Sequence, residues 1–207
     1  IDVPDAERPR RGGSSVERDR ENTEDFIAFM KKRKGHRPLF AFLFFDAAHN
    51  YCEDRNRAEY LKPFEPAIRR CKRFEADQDR DRPLYINRYH NALHFIDGQI
   101  GRVLRTVREK GMLGNTIIII TSDHGVEFNE KGNGNRAYAT SFSPYQLHVP
   151  LIVFWPGRGS AEFNHGTTHL DLVPTLMRDV FGCTSPAAHY ACGHSLFSSA
   201  RRPYLVA

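Results

Sequence analysis

The sequence predicts an α/β fold with a mainly parallel sheet, and three observations carry that expectation. Leu39–Phe45 and Ile117–Ile120 are continuous apolar runs. Such runs read as strands buried on both faces, since a half-exposed strand alternates apolar and polar residues. Between them, Ile86, Tyr89, Leu93, Ile96, Ile100, Val103 and Val107 recur at steps of three and four, the stripe of a long amphipathic helix. Strand, crossover helix and strand make the right-handed parallel unit. Leu151–Trp155 adds a third apolar run, closed by Pro156-Gly157.

The elements follow in chain order. Residues 1–21 carry Pro4, Pro9, Gly12, Gly13 and many charges, and read as an irregular basic linker ahead of a domain at 22–207. Asn22 or Thr23 caps a first helix, with Glu24 and Asp25 in its first turn, Lys31–Lys34 in its last, and Gly35 to stop it. The first strand follows. Residues 52–82 read as a charged surface excursion anchored by Phe64 and Phe74, with a short helix near Pro66–Ala76. Pro83 opens the long helix, which runs to about Lys110, and Gly111 ends it. A loop of about twenty residues, Val126 to Leu147, separates the second and third strands, and loops of that length are usually functional or mobile. Thr168 caps a helix over Leu170–Phe181, with Pro174 tolerated in its first turn. Arg202–Val206 reads as an edge strand.

The chemistry gathers at the strand ends. The first strand runs into Asp46-Ala47-Ala48-His49, the second into Ser122-Asp123-His124-Gly125. If the two strands are parallel neighbours, both clusters emerge on one sheet edge, where open α/β sheets bind ligands. Asp123 and His124 offer one hard oxygen and one borderline nitrogen, a pair suited to Zn²⁺, Mn²⁺ or a similar ion. A polar strand-to-loop turn is the plainer alternative. His90, His94 and Asp97 share one side of the long helix and read as solvent-facing polar residues or a helix-to-loop hydrogen bond before a metal site.

Composition bounds the rest. The 207 residues include 15 phenylalanines and carry a net charge of +5. No apolar run approaches the roughly 20 residues needed to span a bilayer, and the start shows no signal-peptide pattern. A chain that opens Ile1-Asp2-Val3-Pro4 reads as a segment of something longer. The basic runs Arg8–Arg20 and Lys31–Lys34 attract phosphate or are simply solvated. No aromatic residues interleave them and no recognition motif is present, so nucleic acid is not an expected partner. Cys52/Cys71 and Cys183/Cys192 are close enough in sequence for two local disulfides, which would suit an oxidising compartment; reduced thiols are the alternative.

Several stretches, taken in order and spacing, resemble the sulfatase-like branch of the alkaline phosphatase superfamily. They are TIIIITSDHG (116–125), VPLIVFWPG (149–157) and HLDLVPTLM (169–177). FFDAAHNY (44–51), NRYHNALHFIDGQIG (87–101), EFNE (127–130), SPYQLHVP (143–150) and CGHSLF (192–197) narrow the likeness to the C-terminal part of the periplasmic domain of the YejM-like inner-membrane proteins. The resemblance implies an α/β/α sandwich, here an incomplete domain, and a divalent metal (Mn, Zn, Mg or Ca). It implies Asp123 and His124 as metal ligands and His49 as a catalytic and substrate-binding residue near the substrate phosphate. Many relatives carry a substrate-contacting Gly-His where this chain reads Ala137-Tyr138, so either the loop is re-routed or that contact is lost; Tyr138 and His148, the latter as a stand-in, are the expected substrate-binding residues on that side.

The implied function is a metal-dependent hydrolase or phospho-headgroup transferase acting on phosphate or sulfate esters, with anionic envelope lipid as the expected substrate. The nucleophile and the first acidic ligands are expected upstream of residue 1, as is a membrane anchor. The implied location is the periplasmic face of the bacterial inner membrane. The alternative is a catalytically inactive domain that binds lipid or protein partners. An uncovered sheet edge or apolar face would favour self-association.

Overall fold

The computed structural model describes residues 13–35, 37–53, 59–71, 78–132, 134 and 137–198. Arg8–Arg11, Phe74 and the expected edge strand at 202–206 lie outside them. The chain divides into two compact units, one running to Gly157 and one beginning at Arg158.

The first unit is built on two helices. Helix α1 spans Ser15–Lys32, so it begins well before the expected Asn22 or Thr23. The reason is local: Ser14 and Glu17 form a capping box, the Ser14 side chain accepting from the Glu17 backbone and Glu17 reaching back to the Ser14 backbone. Helix α2 spans Gln78–Glu109 and begins one turn ahead of Pro83, whose missing N–H costs that turn a single bond. Phe26 and Met30 of α1 pack on Val107 of α2, with Leu39, Leu43 and Val103 against them. Arg102 of α2 pairs with Glu24 of α1, and the Arg20 guanidinium lies 5.4 Å over the Phe95 ring.

The excursion after residue 51 is fastened to α2. Cys52 and Cys71 form the expected disulfide. Arg88 is fully buried and donates to the backbone carbonyls of Tyr51, Glu53, Ile68 and Arg69. Asn91, also buried, bonds the backbone of Tyr60 and Phe64. Residues 66–71 form no helix, against expectation. His90 and His94 meet the edge of Phe64, so they serve helix-to-loop packing.

The sheet departs most from expectation. Strand β1 (Ile118–Thr121) pairs antiparallel with β2 (Leu151–Phe154), Ile118 opposite Phe154 and Thr121 opposite Leu151. Among the described residues this two-stranded sheet is the whole ladder. The segment 39–45 is extended, but beyond an isolated bridge at Leu39 it joins no strand. Its side chains alternate: Leu39 and Leu43 pack on the helices, while Phe40, Phe42 and Phe44 are 65%, 77% and 55% exposed. The apolar run thus has one covered face rather than two. β2 likewise exposes Ile152 and Phe154, so neither run is the doubly buried strand its composition suggests.

The second unit is organised by helix α4 (Leu172–Asp179); the short helix α3 (Pro144–Leu147) belongs to the first. Thr168 and Asp171 form a capping box ahead of α4, and Pro174 lies in its first turn, as expected. Buried Asp171 also accepts the His194 backbone N–H at 2.7 Å, and Thr175 Oγ1 that of Leu196 at 2.8 Å. Arg158 and Arg178 both bind Asp179. Cys183 and Cys192 are free thiols, not the second expected disulfide; Cys183 is hydrogen-bonded with Tyr190 and Cys192 is exposed.

Candidate active site

His49 sits in the turn 47–50, which α1 holds in place. The Asp19 carboxylate, fully buried, accepts the backbone N–H groups of Asp46 and Ala47 at 2.8 and 2.9 Å. Arg18 pairs with Asp46 at 2.6 Å, and Asn50 Nδ2 donates to the same carboxylate oxygen at 2.8 Å. The Tyr60 hydroxyl donates to the Ala47 carbonyl. Burial pushes the Asp19 carboxyl up to about 6, against the two backbone donors that pull it down.

Asp123 and His124 follow the end of β1. Asp123 Oδ1 accepts the His124 backbone N–H at 2.9 Å, and Ser122 Oγ donates to the His124 carbonyl at 2.7 Å. His124 Nδ1 lies 2.9 Å from the Gly125 carbonyl. A carbonyl only accepts, so Nδ1 carries the hydrogen and the neutral ring leaves Nε2 as its free acceptor. Nε2 is 3.6 Å from Asp123 Oδ2. Gly125 then has no room for a side chain: a Cβ would stand 2.2 Å from the Tyr145 carbonyl oxygen, and the Gly125 N–H bonds the Gln146 carbonyl.

Tyr138 joins the two clusters. Its hydroxyl hydrogen-bonds His49 Nε2 at 3.0 Å, with ring centroids 4.7 Å apart. The same ring stacks on His124 at 5.0 Å and 22°. Tyr51, Tyr89 and Phe128 pack on one another edge to face or tilted at 5.6–5.8 Å. Burial, then the Asp123 charge, pushes the Tyr89 phenol up.

Four of the five sequence-predicted residues therefore meet: His49, Tyr138, His124 and Asp123. His148 does not join them; it is exposed and closes α3 through its backbone N–H. The sequence reading missed Arg18 and Asp19, which fell in the stretch taken for linker, although Ser14-Ser15-Val16-Glu17 is a helix-start pattern. It also missed Tyr89.

Among the described residues no three His, Cys, Asp or Glu side chains stand close enough to hold a metal ion. Asp123 and His124 fit as two ligands of such a set. Donors at roughly 2.1 Å from a shared tetrahedral ion stand about 3.4 Å apart, close to the 3.6 Å observed. The Nδ1–H bond to Gly125 is the outer contact that orients a ligating imidazole.

The chain belongs to a known class. Residues 6–181 match the sulfatase family model, so the chain belongs to the sulfatase family, whose members are generally metal-dependent. Among relatives, the inner membrane protein YejM of Salmonella typhimurium is 34% identical over 124 residues, which cover 60% of this chain and 20% of YejM. The steryl-sulfatase of Rattus norvegicus is 30% identical over 102 residues, covering 44% of this chain and 18% of that protein. A candidate sulfatase from Bacteroides thetaiotaomicron has the same fold, with a TM-score of 0.66 at 19% identity over 99% of this chain and 51% of its own. A 2-O GAG sulfatase gives a TM-score of 0.59 at 19% identity, over 95% of this chain and 48% of its own. The fold is thus the α/β fold of the sulfatases, and this chain matches about half the length of those structures and a fifth of YejM.

Proposed function

We propose that this chain carries part of the active site of a metal-dependent sulfatase-like hydrolase or phospho-headgroup transferase. Its substrates are phosphate or sulfate esters, and anionic envelope lipid is the class proposed, at the periplasmic face of the inner membrane. The observation that carries the reading is the continuous contact from His49 through Tyr138 to His124 and Asp123. Asp123 Oδ2 and His124 Nε2 would hold the divalent ion together with carboxylates outside the described residues. The ion supplies stabilisation of the negative charge that develops on the ester oxygens. His49 presents Nε2 at 3.0 Å from the Tyr138 hydroxyl, and in its protonated form it would serve a leaving-group oxygen from there. The exposed Phe40, Phe42 and Phe44 give this segment an apolar face that favours self-association when nothing else covers it.

A second reading, a catalytically inactive domain that binds lipid or protein partners, is favoured by one feature: the Tyr138 ring fills the space between His49 and His124. Both readings are tested on the longer protein that contains this chain. Aryl phosphate and aryl sulfate esters are assayed with Mn²⁺, Mg²⁺ or Zn²⁺, beside binding to anionic vesicles. Removing an ion ligand should cost more than the roughly 10–100-fold typical of an outer-shell partner, so Asp123→Ala should lower the rate by at least about 100-fold. An unchanged rate sinks the enzyme reading. Vesicle binding indifferent to Asp123→Ala, with no turnover in the parent protein, supports the second.

A further inference from the structure

We infer that Glu127 is the positioning residue of this site: its carboxylate ties down the loop 137–146 so that the Tyr138 ring stands against both His49 and His124. The inference rests on reading those side chains as the site, and adds the group that fixes their spacing. Glu127 has no exposed surface, touches no reacting group, and lies three residues past His124. Its backbone N–H donates to the Ala137 carbonyl at 3.0 Å, next to Tyr138. One carboxylate oxygen, Oε2, accepts Ser143 Oγ at 2.8 Å, Ser141 Oγ at 3.0 Å and Gln146 Nε2 at 3.0 Å. Three donors converge on it, and the Ser143 bond first among them holds the carboxyl below its ordinary range.

The network closes on the other arm of the site. Gln146 also accepts the Thr140 and Ser141 backbone N–H groups through Oε1, and its own carbonyl accepts the Gly125 N–H at 2.8 Å. The Glu127 main chain thus holds Ala137 whatever the side chain at 127, and the carboxylate fixes Tyr138 from behind, through residues 140–146. Between those anchors Ala139 is left-handed at φ 55°, a conformation a side chain tolerates only where its surroundings impose it. The second carboxylate oxygen, Oε1, is buried without a hydrogen-bond partner among the described residues. A glutamine with its carbonyl at the Oε2 position would keep the three donors and place its amide where no donor opposes it.

The test is an NOE experiment on the folded chain, well below its unfolding temperature. The wild type should show cross-peaks from the Tyr138 ring to both the His49 and the His124 imidazole. Glu127→Ala should lose both sets, and Glu127→Gln should retain them. A role in stability alone would lower the melting temperature and leave the cross-peaks in place. Wild-type cross-peaks in folded Glu127→Ala would overturn the inference, and so would their complete loss in Glu127→Gln. If Glu127→Ala does not fold, Ser141→Ala/Ser143→Ala removes two of the three donors and is read by the same criterion. The readout needs no ester, metal or turnover, so a parent protein without activity would defeat the proposed function and leave this inference standing.

Discussion

Asp19 offers the sharpest test of how the His49 turn is held. Its carboxylate is buried, is raised from 3.8 to about 6, and accepts two backbone N–H groups from the turn. Because the folded value lies above the unfolded one, the native state binds the extra proton between those two pH values. Asp19 therefore contributes most stability below about pH 3.8, and that contribution is lost as pH rises through about 6. The gap converts to roughly 3 kcal/mol, an upper bound because relaxation and water reduce the penalty of burying the charge. Asp19→Asn removes the titration while keeping the shape and one acceptor. The stability of wild type minus that of Asp19→Asn should thus fall by about 1–3 kcal/mol between acid and neutral pH. Urea denaturation of both proteins across that range measures it directly, provided the slopes agree. A difference that stays flat with pH would refute the raised carboxyl. A difference that grows with pH would mean that the two N–H donors outweigh burial and hold Asp19 below its ordinary value.

Two further outcomes concern the excursion packed on α2. Reducing Cys52–Cys71, which closes a separation of 19 residues, should cost about 3 kcal/mol by loop-closure entropy, read from urea midpoints with and without reductant. Arg88→Met keeps the volume of a fully buried side chain but strips the donors from four carbonyls, and should destabilise by about 3 kcal/mol or more in the same assay.

What was legible in the sequence was local. The α2 stripe, the Thr168 cap, the Cys52–Cys71 pairing and the polar ends of the apolar runs all follow from short-range patterns, and the structure has them. The Ser14–Glu17 box was equally local, but the prolines and charges before it pulled the reading toward linker. The sheet was not legible from this chain because pairing depends on neighbours. Leu39–Phe45 is composed for burial on both faces, yet the described residues cover only the Leu39/Leu43 side. Strand composition reports the environment a strand is suited to, whereas the ladder reports what stands beside it. The juxtaposition of His49 with Asp123-His124 was reached from an expected parallel pairing. The structure achieves it by another route, through Tyr138 and the loop that carries it.

That route explains why two buried carboxylates flank the site with opposite acidities. A ladder fixes the strand ends it joins, and among the described residues the His49 segment has no such ladder. Each arm is instead held by an acid whose oxygens collect donors from a turn. Asp19 receives two backbone N–H groups, one on each oxygen, and this falls short of compensating its burial, so its carboxyl rises. Glu127 receives three side-chain donors on one oxygen, which more than compensates, so its carboxyl falls. The Tyr138 side of the contact should therefore stay charged and fixed through mild acid. The His49 side should instead weaken as pH rises through about 6, because deprotonation leaves a buried charge that two N–H groups do not fully compensate. Following the Tyr138–His49 and Tyr138–His124 NOEs separately across that range distinguishes the two clamps. Loss of both at one pH would show a single cooperative loop in place of two independent holds.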